Sequence, residues 1–137
     1  MSLYPRRPGA AAYQQTAAHA GVAAADPHRL VLMLMDGALE RMASAKGAIA
    51  NGSTEMKGRM IQRTIAIVDE LRSSLNMEAG GEIATNLNAL YDYFSRQLMR
   101  ANVENRVEPI DEVTTLLREV RTAWIALPGS TARAVRP

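Results

Sequence analysis

The chain has 137 residues, 47% of them apolar and 22% charged, which fits one globular domain and excludes a disordered composition. There is no cysteine, so disulfides and thiol catalysis are excluded and a reducing compartment is the natural expectation. The net charge of +2 comes from the ends: setting aside Arg6, Arg7, Arg133 and Arg136 leaves 12 basic against all 14 acidic residues in 13–127, a body of net −2 that shows no basic patch for nucleic acid.

In chain order, residues 1–12 read as a flexible tail, broken by Pro5, Pro8 and Gly9. No apolar run follows Arg6 and Arg7, so no signal peptide is expected, and no run of about 18 apolar residues suggests a membrane span. Residues 13–25 are Ala-rich with apolar points at Tyr13 and Val22, which suits a short helix lying on the domain or an arm. Asp26-Pro27 is a helix start, an N-cap followed by proline at the first helical position. The first long helix is predicted over 27–50. It carries one stripe of Val31, Leu34, Ala38, Ala45 and Ala48, and a second of Leu32, Met35, Leu39, Met42 and Ile49.

Asn51-Gly52-Ser53 ends that helix and caps the next, predicted over 53–76 with Met60, Thr64, Ile67, Val68, Leu71 and Leu75 inward. Gly80-Gly81 reads as the break before a third helix over 82–102, whose expected core face is Ile83, Leu87, Leu90, Phe94, Leu98 and Ala101. Pro109 opens a fourth helix with Asp111 and Glu112 in its first turn. Its stripe is Ile110, Val113, Leu117, Val120, Trp124 and Leu127. Pro128-Gly129 ends it, and 128–137 reads as a disordered tail. No segment alternates with the period of a strand. Four helices with short connections predict an all-α, antiparallel four-helix bundle with an N-terminal cap segment or short helix.

The residues give no catalytic signature. His19 and His28 are the only histidines, and neither belongs to the Glu-x-x-His pairs that a di-iron bundle needs. Gly80-Gly81 lacks the strand and the Lys-Ser/Thr of a phosphate loop. Asp36/Glu40 and Glu78/Glu82 read as solvated helix charges, Ser53 as a cap and Ser95 as a surface residue. No cofactor or metal is expected.

What remains is an apolar surplus. Residues 30–35 are six consecutive apolar positions that cover the whole circumference of the first helix. Either an N-terminal segment covers the outer side, or that side receives a partner helix in a groove. Gly37 sits within the same helix at a cost of roughly 1 kcal/mol relative to Ala. Close approach of another backbone and tolerated imperfection both account for it. Trp124 belongs to the core of the fourth helix, and Tyr91 and Tyr93 point different ways.

Three blocks carry a family resemblance. Gly80-Gly81-Glu82-Ile83-Ala84-Thr85-Asn86-Leu87 leads into Leu90-Tyr91-Asp92-Tyr93-Phe94 and then Ala101-Asn102. Asp26-Pro27-His28-Arg29-Leu30 precedes Leu34-Met35-Asp36-Gly37-Ala38, and the final helix runs from Ile110 to Trp124. In this order and spacing, over about 13–127, they resemble the FliS family. Asp26 stands where the family usually has Ser, and Met35 where it usually has an aromatic residue.

The resemblance implies a cytoplasmic, non-enzymatic chaperone that binds the disordered C-terminal region of flagellin, prevents premature polymerisation and aids delivery to the export gate. The implied partners are flagellin, the flagellar export-gate protein and, in some bacteria, an anti-sigma factor. Neither nucleic acid nor direct membrane insertion is expected, and the free protein is expected to be a monomer or weak homodimer. Together with the apolar surplus, the resemblance makes Met35, Leu39, Met42, Tyr91 and Tyr93 the candidate flagellin contacts. Tyr13, with Val22, is assigned to N-terminal capping or export-gate handover. The alternative is a self-associating bundle with no flagellin client, whose surplus apolar face is a homodimer seam.

Overall fold

A computed structural model of the protein describes residues 26–127. They form four helices: α1 (Pro27–Ala50), α2 (Thr54–Ser73), α3 (Met77–Glu104) and α4 (Glu108–Ala126). The expected tails, Tyr13, Val22 and the N-terminal cap all lie outside the described residues. Three-residue connections turn the chain back each time, and the helices pack in cyclic order, α1 on α2, α2 on α3, α3 on α4 and α4 on α1. This is the expected all-α bundle.

The start of α1 follows the sequence signal. Asp26 is extended and its carboxylate accepts from the His28 and Arg29 amides at 3.1 and 3.3 Å. Gly52, with φ of 73°, lets the chain reverse after α1. Ser53 occupies the N-cap position of α2 without a side-chain cap bond, and Ser95 is half-buried rather than on the surface.

The break before the third helix is not where the glycine pair suggests. Asn76 caps α3 by accepting from the Ala79 amide at 2.9 Å, so a helical turn precedes the glycines. Gly81 then adopts φ 53°, ψ −128°, which kinks the helix without ending it. Asn105, left-handed at φ 57°, ends α3, and Glu108-Pro109 opens α4.

The core is a set of seams at alternating three- and four-residue spacing. They comprise Met35, Ala38, Met42 and Ala45 on α1; Ile61, Thr64, Val68 and Leu71 on α2; Ala84, Tyr91, Phe94, Leu98 and Ala101 on α3; and Ile110, Val113, Leu117 and Trp124 on α4. Spacing of this kind is that of supercoiled helices meeting at a shallow angle. Each fully buried large side chain contributes about 1.5–3 kcal/mol.

Polar contacts fix the seams in register. Lys57 continues the α2 seam, and its buried stem carries the ammonium to the Asn102 carbonyl at 3.1 Å and the Asn105 side-chain oxygen at 3.0 Å. Arg72 ties α2 to Asn88 and Asp92 of α3 at 2.7 and 3.2 Å. Arg121 ties α4 to Asp36 of α1 at 2.6 Å, and Lys46 pairs with Asp111 at 2.5 Å. Where α1 begins and α4 ends, the His28 and Trp124 rings stack 5.0 Å apart at 10°. His28 Nε2 donates to the Trp124 carbonyl at 2.7 Å, and Trp124 Nε1 donates to the His28 carbonyl at 3.0 Å.

Candidate functional site

Among the described residues no group of three or more His, Cys, Asp or Glu is placed to hold a metal ion. No described helix is long and apolar enough to cross a membrane. Half-buried apolar side chains gather in two places among the described residues.

The first is a cleft of about 560 Å³ between α1 and α2. Met33, Leu34 and Gly37 line it from α1, and Ala66 and Ile67 from α2. Four charged residues also line it: Asp36, Glu40, Arg41 and Arg63. Asp36 is engaged by Arg121, and Glu40 lies 3.7 Å from Arg41. Arg63 has no ion pair among the described residues. A Cβ added at Gly37 would meet only Ile67 Cδ1, at 3.5 Å, an ordinary side-chain contact. Among the described residues no neighbouring backbone approaches Gly37 closely.

The second is a strip between α3 and α4. Glu112 accepts from Tyr93 Oη at 2.8 and 2.9 Å and from Gln97 Nε2 at 2.9 Å, which identifies the facing flanks of the two helices. Leu90 lies one turn before Tyr93 on the same flank of α3, and Leu116 and Val120 lie one and two turns after Glu112 on that of α4. Antiparallel helices bring these toward one another. Leu87, Leu90, Leu116, Val120 and Leu127 are all only half-buried against the core, and Ile83 is 45% exposed. Ile83 is therefore not the core residue that the sequence pattern predicts.

Three of the five candidate contact residues are not on the surface. Met35 and Met42 are fully buried and Tyr91 is 2% exposed, so all three are core side chains. The physical reason is the seam: Met35, Ala38, Met42 and Ala45 alternate on one face of α1 and do not belong to two separate stripes. Tyr91 packs edge-on against Phe94 at 6.0 Å, and burial pushes its phenol well above the ordinary tyrosine range.

Leu39 is half-buried, on the flank of α1 that meets α4. Tyr93 is half-buried beside Glu112, and Arg96 sits 5.6 Å from its ring centre. Its bond to Glu112 raises its phenol pKa, since that bond needs the proton. The structure therefore leaves Leu39 and Tyr93 reachable from solvent.

The cleft and the strip also contain residues that the sequence did not single out: Met33, Arg63 and Ala66 in one, Leu116 in the other. Met33, inside the six-residue apolar run, was the available signal for the first.

Comparison with known proteins bears on what such surfaces serve. The family model described as "Flagellar protein FliS" matches residues 9–130. The chain is 45% identical over 112 residues to flagellar secretion chaperone FliSB of Pseudomonas aeruginosa, covering 82% of this chain and 89% of that protein. It is 39% identical over 117 residues to flagellar secretion chaperone FliS of Vibrio cholerae, covering 85% and 86% of the two chains. It is 41% identical over 117 residues to the protein of that name from Salmonella typhimurium, covering 85% and 87%.

Proposed function

The chain belongs to the FliS family of flagellar secretion chaperones, which are not enzymes, and from that premise we propose that it binds the C-terminal region of flagellin in the cytosol. Held there, flagellin does not polymerise before export, and the complex is delivered to the flagellar export-gate protein. An anti-sigma factor is a further partner in this reading.

One observation carries the proposal: the bundle completes its core and still leaves half-buried apolar side chains in the α1–α2 cleft and along the α3–α4 strip. An amphipathic segment that would otherwise self-associate through its apolar stripe finds in them a surface of matching chemistry. The cleft includes Met33, whose flexible thioether accepts side chains of different shape. A client that folds on binding gives up about 2–5 kcal/mol in ordering, so a large contact remains releasable without ATP. Leu39 and Tyr93 contact the client directly in this scheme, and Met35, Met42 and Tyr91 support those contacts from beneath. Tyr13 and Val22 serve capping or handover at the export gate.

The test is co-elution with a C-terminal flagellin segment on size exclusion with light scattering. The expected result is a 1:1 complex whose helical signal exceeds the sum of its parts. Leu39→Asp should weaken it at least tenfold while the free protein stays helical. A protein that forms a stable homodimer and ignores flagellin would refute the proposal and leave self-association as the use of the apolar surface.

A further inference from the structure

The glycine in the middle of α1 is not explained by the fold. Gly37 has no positive φ, and a methyl group there would make only an ordinary contact with the end of Ile67. Neither space nor backbone geometry requires glycine at this position, yet glycine weakens a helix interior. Gly47 and Gly58 are also helical, but a methyl group at either would meet nothing within 4 Å among the described residues. Gly37 differs because the missing side chain deepens the floor of the cleft between Met33, Leu34 and Ile67. At the lip of the same cleft, Arg63 is the charge left over once Asp36 has paired with Arg121 and Glu40 with Arg41.

We infer that the α1–α2 cleft is a subsite for one turn of an amphipathic client helix, with an aliphatic side chain seated over Gly37 and an acidic side chain of the same turn paired with Arg63. This rests on the client reading above and specifies what the client must carry. Charge complementarity selects the occupant: after internal pairing, the lining presents an apolar floor and one positive charge. The aliphatic and acidic residues stand three or four positions apart on the client, the spacing that puts them on one helical face. Glycine at 37 is thereby a concession of helix stability to the depth of the subsite.

The experiment uses the full chain and overlapping synthetic peptides that tile the C-terminal region of flagellin from the same organism, read by fluorescence anisotropy. Gly37→Ala is expected to raise the unfolding midpoint by about 2–5 °C. It should also weaken, by roughly threefold or more, the one peptide that uses the cleft. Gly37→Leu should weaken that peptide more than tenfold. Arg63→Glu should do the same, and a peptide whose acid is replaced by Lys should restore binding to that variant alone.

Parental affinity of every peptide for all three variants would overturn the subsite while leaving intact the binding of flagellin elsewhere on the bundle. So would a Gly37→Leu effect confined to hydrogen exchange in residues 13–25, which would assign the cleft to this chain's own N-terminal segment. A concentration-dependent mass that Gly37→Leu abolishes would assign it to a second copy. Failure of the parent protein to bind any flagellin segment would instead remove the client reading itself.

Discussion

Replacing His28 with Ala tests how the bundle is closed. The imidazole donates from Nε2 to the Trp124 carbonyl at 2.7 Å and covers the indole face at 5.0 Å between ring centres. Such a hydrogen bond contributes about 0.5–1.5 kcal/mol, and a stacked ring pair about 0.5–1.5 kcal/mol beyond area. The indole is 3% exposed, and uncovering one face returns apolar surface to water at about 25 cal/mol per Å².

The sum is a loss of about 2–3 kcal/mol, which for a chain of 137 residues lowers the midpoint by roughly 7–10 °C. Trp124 is the only tryptophan, so urea unfolding followed by its emission and by circular dichroism reports the same event locally and globally. The emission of the folded variant should shift to the red and become open to quenching by iodide. His28→Phe keeps the stack, loses the donor and should recover about half of the loss. Stability within 0.5 kcal/mol of the parent for both variants, with unchanged emission, would refute the clasp as a structural tie.

Lys57→Met should cost about 2 kcal/mol in denaturant unfolding, because it keeps the stem but removes a charged donor from the Asn102 carbonyl and the Asn105 side chain. Gly81→Ala should destabilise by about 1–3 kcal/mol, since φ 53°, ψ −128° is open only to glycine, and should speed hydrogen exchange in 77–80. The Asp92 carboxyl is held below the usual carboxylate range, first by its hydrogen bond from Arg96 and then by the charges of Arg96 and Arg72. Its contribution is complete above about pH 4 and is lost as the pH falls through its lower folded value. The destabilisation of Asp92→Asn at pH 7 should therefore shrink steadily as the pH falls below about 4, as thermal midpoints across that range will show.

Much of this fold can be read from the sequence. Asp26-Pro27, the Asn51-Gly52 turn and Pro109 state helix boundaries in local chemistry, and the structure places them there within about a residue. Two readings went astray for physical reasons. Gly80-Gly81 suggested a boundary, but the real cap is Asn76, and a left-handed glycine can kink a helix as well as end it. The inward faces of α1 and α3 were assigned at a spacing that drifts around the helix. The true seams repeat every 3.5 residues, through Met35, Ala38, Met42 and Ala45 and through Ala84, Leu87, Tyr91, Phe94 and Leu98.

A single misplaced step turns a side chain by about 100°, enough to exchange core for surface. That is why the sequence pattern puts Met35 and Met42 outside and Ile83 inside, the reverse of their places in the structure. The cleft at Gly37 was less legible still, because its depth comes from two helices and its surplus charge from pairings that only the folded arrangement reveals.

The cyclic order of the helices, with three-residue turns, also sets a timescale. Three of the four helix contacts join neighbours in sequence, so little chain must be immobilised before each one forms. Only the α1–α4 contact spans the described chain. A topology this local folds in microseconds to milliseconds. Ribosomes add about 5–20 residues per second, so every hundred residues of a client take about 5–20 seconds to appear, and its C-terminal region emerges last. In the proposed role, the receiving surface is complete long before the segment it must receive has left the ribosome.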